Sequence, residues 1–144
     1  MSLKVEKISD PSSFQEAVKI REQVFVIEQK VSKEDEYDQF EESSTHFLAR
    51  MDGKPVGAAR WRYTDKGIKL ERFAVLKEFR GKGVGKSLVE AVLKDIHSDS
   101  HAEGKVKYLH AQLDAVPLYS KFGFKKVGEM FEECSIQHFK MQLA

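Results

Sequence analysis

Hydrophobic positions along the chain repeat either at every second residue, as in a strand, or at three- and four-residue spacing, as in a helix. The N-terminal third of the chain contains both patterns. Residues 3–8 alternate loosely between apolar and polar side chains and predict a strand that ends at the turn formers Ser9, Asp10 and Pro11. Ser13 followed by Glu16 has the form of a capping box and predicts the start of a helix. The apolar positions of this helix recur at three- and four-residue spacing and are Phe14, Ala17, Ile20, Val24 and Ile27.

The middle of the chain predicts three consecutive antiparallel strands. Strand-like runs cover residues 45–51, 55–63 and 68–75, with a tight hairpin at Asp52-Gly53 and a further turn at residues 64–67. Gly57 lies inside the second run and indicates a bulge or the close approach of another segment. We therefore expect a β-meander.

The C-terminal half predicts a helix, a strand, a short helix and a closing hairpin. The first helix is indicated by an apolar stripe of Val84, Leu88, Ala91, Val92 and Ile96. It leads to a strand over residues 106–112, and a helical crossover of this kind favours parallel pairing with the strand at 68–75. Residues 115–122 predict a helix that tolerates Pro117 in its first turn and ends at Gly123. Residues 124–127 and 136–143 predict a hairpin across a loop that contains Cys134.

The size and charge of the chain narrow the classes of partner. Its 144 residues suit one domain over residues 1–144 with a single core. Lys and Arg number 24 against 23 acidic residues, so we expect no nucleic acid and no membrane as partner. One cysteine, with no signal-peptide or membrane-spanning run, leads us to expect a cytoplasmic protein.

The strongest candidate for chemistry is RGKGVGKS at residues 80–87, between a predicted strand and a predicted helix. Amide N–H groups at a helix start have no intrahelical acceptor and lie at the positive end of the macrodipole, so they favour a phosphate or pyrophosphate. Glycines let that backbone approach an anion closely, and Arg80, Lys82, Lys86 and Ser87 supply positive charge and a hydroxyl donor.

Two nucleotide-binding motifs agree poorly with this loop. Gly85, Lys86 and Ser87 match the end of a P-loop, but Arg80 occupies the position of the first P-loop glycine. Gly81, Gly83 and Gly85 have the wrong spacing for a dinucleotide fingerprint, and the preceding strands are predicted to be antiparallel. The pattern that does match is R-x-x-G-x-G.

Together with KIREQVF at 19–25, LERFAV at 70–75 and PLYSKFGF at 117–124, this pattern resembles the GNAT superfamily of acyl-coenzyme A-dependent N-acyltransferases. The resemblance implies an α/β (α+β) fold: a mixed, largely antiparallel central sheet with helices on both faces and the coenzyme at a local opening between strands. It implies acetyl-coenzyme A as cosubstrate and no metal. The implied coenzyme-binding residues are Phe73, Ala74 and Val75 beside the pantetheine arm, and Arg80, Gly81, Lys82, Gly83, Val84, Gly85, Lys86 and Ser87 around the pyrophosphate.

The implied reaction is acetyl transfer to a primary amine of a small molecule or peptide by direct attack, with Tyr119 as the acid that protonates the leaving thiolate. A phenol with an ordinary pKa of about 10 stays protonated at neutral pH, although transfer to a thiolate whose thiol has a pKa of about 8.5 is mildly uphill. A backbone N–H near residues 73–75 would polarise the thioester carbonyl.

For the general base, Glu71 is the leading candidate because it lies on the strand expected to border the acyl group. Strand alternation leaves open whether Glu71 faces the cleft, and ordered water could also carry the proton. The alternatives among the residues are Glu28, His110, Asp114 and His138.

Other residues support weaker hypotheses. His97 and His101 have i, i+4 spacing but lack further ligands for a metal, and Cys134 lacks a neighbouring histidine for covalent catalysis. The acidic segment, residues 28–42, is interpreted mainly as a solvated loop with one helical turn. It could instead attract a cationic amine. Alternatively, Arg21, Arg60 and Arg62 could recognise a carboxylate or phosphate on the acceptor. A noncatalytic acyl-coenzyme A sensor or protein-interaction module is the competing function, and an edge-strand homodimer is compatible with the sequence.

Overall fold

The computed structural model describes residues 2–143, and within this range eight strands form one sheet. The order across the sheet is β1-β2-β3-β4-β5-β8-β6, with β7 also paired to β8. Only the β4–β5 pair is parallel among these pairings. The strands are β1 (Leu3–Lys7), β2 (Thr45–Met51), β3 (Lys54–Thr64), β4 (Gly67–Val75), β5 (Lys107–Gln112), β6 (Lys125–Lys126), β7 (Phe131–Glu133) and β8 (Ile136–Leu143). The predicted meander and the parallel crossover are confirmed.

Helices cover both faces of this sheet. They are α1 (Pro11–Arg21), continued by a π-helical stretch (Glu22–Glu28), then α2 (Lys33–Glu36), α3 (Val84–His97) and α4 (Val116–Ser120). Buried side chains of α3 form the larger core with one face, whereas Ala17, Ile20 and Val24 pack on the other face against Leu48, Ala58 and Ala74. The fold expected from the resemblance, with helices on both faces, is confirmed.

The start and the end of the first helix differ from the sequence prediction. Asp10, not Ser13, is the N-cap, and its carboxylate accepts a hydrogen bond from Ser13 N at 2.9 Å. Pro11 takes the first helical position, where it loses no hydrogen bond. Ile27 is 56% exposed rather than part of the apolar stripe, because the helix winds wider after Arg21 and the 3.6-residue period loses phase.

Strands β4 and β5 separate after a short paired stretch. Their pairing covers Ile68 to Leu70 on β4 and ends at the Leu70–Leu109 pair. Just beyond it the β3–β4 register shifts, and Arg72 has a positive φ of 58°. A bulge bends a strand away from its neighbour. Among the described strands, the edge of β4 from Glu71 to Val75 therefore has no partner on the β5 side.

The closing elements are shorter than predicted. The strand expected at 124–127 is limited to β6, and the loop before β8 contains a further strand, β7, followed by a two-residue turn at Cys134 and Ser135. Helix α4 follows a 3₁₀ turn (Leu113–Ala115) and ends at Ser120 with Lys121 as its C-cap, earlier than predicted. Gly123, predicted as the cap, lies two residues further on, in the turn after the helix, with a φ of 92°.

Candidate active site

A cleft of about 530 Å³ passes through the opening between β4 and β5. Its wall contains Phe73, Ala74 and Val75 from β4, Tyr119 from α4, and Phe25 and Glu28 from the π-helical stretch. Widened helical turns of this kind are frequent at functional sites. The cleft thus connects the face that carries α3 with the face that carries α1.

The loop at residues 80–87 leads directly into α3. Gly81 and Gly83 have positive φ values of 76° and 85°, in a region that side chains disfavour. A Cβ on either glycine would meet no atom of the described residues within 4 Å. Gly83 is the N-cap, and within residues 2–143 no side chain caps the helix; the Ser87 N–H is bonded back to Gly83 O at 3.0 Å. The N–H groups of the first helical turn are therefore available to an anion.

The cations of this loop differ in their contacts. Arg80 is held by Glu28 through two hydrogen bonds of 2.7 and 2.8 Å, and this pairing lowers the pKa of Glu28. Lys82 and Lys86 are exposed, and within residues 2–143 neither forms an ion pair. Val84 is buried against the core, so only its backbone can contribute to the loop.

Tyr119, the residue that the sequence suggests as the acid, lies on α4 at the wall of the cleft. Its ring packs edge-on against Phe73, with centroids 5.7 Å apart, and against Phe124 at 6.2 Å. The residue is 6% exposed yet lines the cleft. Burial raises the pKa of its phenol well above the ordinary value, and no partner among the described residues contributes to that shift.

The Glu71 carboxylate is surrounded by three cationic side chains, whereas a general base needs a carboxylate that is free to accept a proton. Its carboxylate contacts Arg60 at 2.6 Å, Arg62 at 2.7 Å and Lys69 at 3.4 Å. Although burial opposes the charged form, these cations lower the pKa of Glu71 to about 2. A carboxylate with this pKa is a weak base near neutral pH, so the geometry argues against the role that the sequence suggested for Glu71.

The acidic segment, residues 28–42, which we call the strap, contains the expected helical turn, α2, and exposed carboxylates at Glu34, Asp35 and Glu42, but it is also bound to the sheet. Arg21 and Arg60 are 1% and 0% exposed, and their guanidinium groups hold the strap through Glu36, Asp38 and Glu41. The contacts of Arg60 lower the pKa of Asp38 to about 2. The charges that the alternative interpretation offered for binding a substrate thus largely neutralise one another, and Arg21 and Arg60 do not line the cleft.

Three polar residues lie together on the α1 face of the cleft. His110 Nδ1 lies 3.1 Å from Glu133 Oε2, and His138 Nε2 lies 4.0 Å from Glu133 Oε1. The sequence offered His110 and His138 only as alternatives, and it missed Glu133 altogether. Only the pairing of β7 with β8 brings Glu133 to these histidines, and no sequence signal marks so short a strand.

The described residues contain neither a helix long and apolar enough to span a membrane nor a group of three or more His, Cys, Asp or Glu side chains arranged to hold a metal ion. His97 and His101, the pair with metal-like spacing, are both exposed.

Comparison with known proteins gives consistent matches along nearly the whole chain. Residues 10–144 match the protein family described as "Acetyltransferase (GNAT) domain". YjcF of Bacillus subtilis, an uncharacterized N-acetyltransferase, is 42% identical over 127 residues, covering 88% of this chain and 89% of YjcF. An acyl-CoA N-acyltransferase from Pseudomonas aeruginosa superposes with a TM-score of 0.85 at 25% identity, covering 99% of this chain and 100% of that chain. Escherichia coli ElaA superposes with a TM-score of 0.86, with the same identity and coverage.

Proposed function

This chain belongs to the GNAT family of acetyl-coenzyme A-dependent N-acetyltransferases, and we propose that it acetylates a primary amine by direct attack, with residues 1–144 acting as one catalytic domain. The observation that carries this proposal is the combination of an uncapped helix start at Gly83 with an unpaired strand edge on β4. The first suits a pyrophosphate and the second suits an amide-containing arm. The two features adjoin the same cleft.

The residues around the loop fit the coenzyme. We assign the pyrophosphate to the backbone N–H groups of residues 81–86, with Arg80, Lys82 and Lys86 as the compensating cations and Ser87 as a hydroxyl donor. The pantetheine arm is assigned to Phe73, Ala74 and Val75. Acetyl-coenzyme A, when bound, supplies the thioester whose acetyl group is transferred.

Tyr119 is proposed as the proton donor to the leaving sulfur. Its raised pKa keeps the phenol protonated throughout the neutral range, which a donor requires. The same buried environment disfavours a free thiolate and so raises the proton affinity of the sulfur. Proton transfer is then expected to accompany the departure of the sulfur, and Phe73 and Phe124 hold the phenol in place for it.

Calorimetry tests the coenzyme assignment. We expect acetyl-coenzyme A to bind to the protein while ATP does not, because Arg80 replaces the glycine that a P-loop requires. Binding of ATP but not of acetyl-coenzyme A would refute the assignment.

A screen of primary amines with detection of free thiol then tests the reaction. Amine-dependent release of thiol from acetyl-coenzyme A is the expected result. Binding of the coenzyme without any amine-dependent release would instead support the competing function, a noncatalytic sensor.

A further inference from the structure

The cleft opens on the α1 face of the sheet, opposite the core that contains Tyr119. Leu109 and Ala111 of β5 point into the core under α3, so strand alternation places His110 and Gln112 on the α1 face. His138 of β8 is directly opposite Gln112 and shares that face. Gln112 and Gln29 exchange hydrogen bonds of 2.8 and 3.3 Å there. An acceptor that enters from the α1 face therefore meets these side chains first.

His110, Glu133 and His138 form a connected group on this face, which we call the histidine–glutamate cluster. His110 Nδ1 bonds to Glu133 Oε2 at 3.1 Å, which fixes the carboxylate and keeps its pKa below the ordinary value. Phe131 lies between the two imidazole rings, stacked on His138 at 5.8 Å and edge-on to His110 at 5.1 Å. His138 is 6% exposed and lines the cleft. These contacts hold the cluster in one orientation at the wall of the cleft.

The hydrogen bond of His138 determines which nitrogen can accept a proton. His138 Nδ1 lies 2.7 Å from the backbone carbonyl oxygen of Ile136. A carbonyl oxygen only accepts, so Nδ1 carries the hydrogen, and in the neutral ring Nε2 carries the lone pair. That lone pair is on the Glu133 side of the ring.

The gap between His138 Nε2 and Glu133 Oε1 has the size needed for an ammonium group. At 4.0 Å the two atoms are too far apart for a direct hydrogen bond. A nitrogen at about 2.9 Å from each of them would complete a triangle with both contacts at ordinary hydrogen-bond length. The same nitrogen would then face a carboxylate and a basic lone pair together.

The charges around the cluster favour an acceptor that carries a cationic amine and has no carboxylate of its own near that amine. Arg62 and Lys69, on the same wall of the cleft, are already paired with Glu71, and Arg72 is paired with Asp38. Glu133 is 43% exposed at its side chain and, within residues 2–143, has only the two histidines within ion-pair distance. Each arginine on this wall already has a carboxylate partner, although the buried Nε of Arg72 makes no hydrogen bond, so a carboxylate on the acceptor would have to displace an existing ion pair.

We propose that the histidine–glutamate cluster is the acceptor site: Glu133 binds a protonated primary amine and His138 Nε2 removes its proton. This inference rests on the proposed acetyltransferase function. One proton of the ammonium passes to His138 and then to water, the neutral amine forms the C–N bond as the C–S bond breaks, and a second proton reaches the leaving sulfur through Tyr119. His110 acts as a positioning residue for Glu133.

Nuclear magnetic resonance of histidine side-chain nitrogens tests binding without turnover. With coenzyme A present, n-butylamine is expected to shift the His138 Nε2 signal, whereas n-butanol is not. Glu133→Gln is expected to weaken this response to n-butylamine at least tenfold, because the amide lacks the charge that attracts the ammonium. The proposal is overturned if n-butylamine does not shift the His138 Nε2 signal, or if Glu133→Gln leaves that shift unchanged.

Turnover supplies an independent test. His138→Asn retains a donor for Ile136 O but has no basic nitrogen, so kcat should fall about 100-fold while the affinity for acetyl-coenzyme A stays within twofold. His138→Gln serves as a second variant if His138→Asn does not fold, and His97→Asn, at the exposed end of α3, is the matched control. Wild-type kcat in a folded His138 variant overturns the proposal.

A pair of probes tests the charge preference. The value of kcat/KM for n-butylamine should exceed that for 4-aminobutyrate at least tenfold, since only the second carries a carboxylate; the reverse preference contradicts the proposed acceptor class. Failure of the acetyltransferase function itself would look different: acetyl-coenzyme A would not bind, and no amine in the screen would release thiol.

Discussion

The Arg80 guanidinium donates two hydrogen bonds to the Glu28 carboxylate, at 2.7 and 2.8 Å, and a third from Nε to Val75 O at 3.0 Å. These contacts join three parts of the cleft: the end of the π-helical stretch, the edge of β4 and the loop at 80–87. Glu28 thereby positions a cation for the proposed pyrophosphate site. It also leaves a negative charge beside that site.

Glu28→Gln is expected to tighten binding of coenzyme A about fivefold. The glutamine oxygen can still accept from Arg80, while removal of a charge near the anion contributes about 1 kcal/mol in a solvent-exposed setting. Calorimetric titration at low and high salt measures the effect, which should shrink as salt screens it. Arg80→Gln should weaken binding instead. Weaker binding by Glu28→Gln would show that positioning of Arg80 outweighs the repulsion.

Tyr119→Phe is expected to lower kcat about 100-fold without changing the affinity for acetyl-coenzyme A. The phenylalanine keeps the packing against Phe73, so the melting temperature should stay close to that of the wild type. Because burial raises the pKa of Tyr119, the wild type should show no loss of rate from phenol ionisation at or below pH 10.

Tyr108→Phe is the matched control, since the Tyr108 hydroxyl bonds to Thr64 at 2.6 Å and lies outside the cleft. If Tyr119→Phe retains full kcat at saturating acetyl-coenzyme A across the pH profile, Tyr119 is not the acid.

Glu71→Gln distinguishes a structural carboxylate from a base. Loss of this charge leaves Arg60 and Arg62 undercompensated in a buried setting, so the free energy of unfolding should fall by about 3 kcal/mol. At a temperature where the variant is folded, kcat should fall less than tenfold. Urea denaturation and steady-state kinetics measure the two quantities. A large loss of kcat in a fully folded variant would restore Glu71 as the base.

Acid should unfold the protein partly through the same carboxylates. The pKa values of Glu71 and Asp38 are lowered to about 2 in the folded state from 4.5 and 3.8. Groups with a depressed folded pKa stabilise the fold above their unfolded pKa, and this stability is lost as the pH falls towards the folded pKa. The free energy of unfolding should therefore drop between about pH 4.5 and pH 2, with Glu71 contributing about 3 kcal/mol.

Glu71→Gln provides the control for acid unfolding, because its stability should depend less on pH in that interval. An equal dependence in the wild type and the variant would contradict the assignment of this stability to Glu71.

Local sequence patterns predicted most of the fold. The meander, the crossover helix and the glycine loop follow from alternation, helical spacing and turn residues, which act over a few positions. Close approach at Gly57 was also expected: a Cβ there would meet Val84 Cγ1 at 2.9 Å, so this glycine lets α3 pack near β3. Such features are encoded by neighbours in the chain.

Long-range charge pairing was not predictable in the same way. The strap carries acidic residues that resemble a solvated loop, yet Arg60 on β3 binds Asp38 and Glu41, which lie far from it in sequence. A similar limit applies to the proposed acceptor site. Glu133 reaches His110 only because β5 and β7 both pair with β8, and this arrangement depends on the complete sheet.

The turn between β7 and β8 offers a last prediction, because it combines strain with the proposed acceptor site. Cys134 and Ser135 both have positive φ, 52° and 63°, in a two-residue hairpin where Asn-Gly is the favoured pair. The double substitution Cys134→Asn and Ser135→Gly should relieve this strain and raise the free energy of unfolding by about 1 kcal/mol. Urea denaturation measures the change, and Asp52→Asn in the other two-residue hairpin, already followed by Gly53, is the control with little expected effect.

Amine turnover by the same double variant separates two roles for this turn. The pKa of the Cys134 thiol is raised by desolvation and by nearby carboxylates, so little thiolate is present for covalent catalysis. Since Glu133 and Ile136 keep their backbone positions at the two ends of the turn, kcat and KM for the amine should stay within twofold. If the double variant binds the coenzyme but no longer releases the coenzyme A thiol when amine is added, this expectation is contradicted. The single variant Ser135→Gly then shows which change is responsible, because it relaxes the turn and keeps the Cys134 thiol.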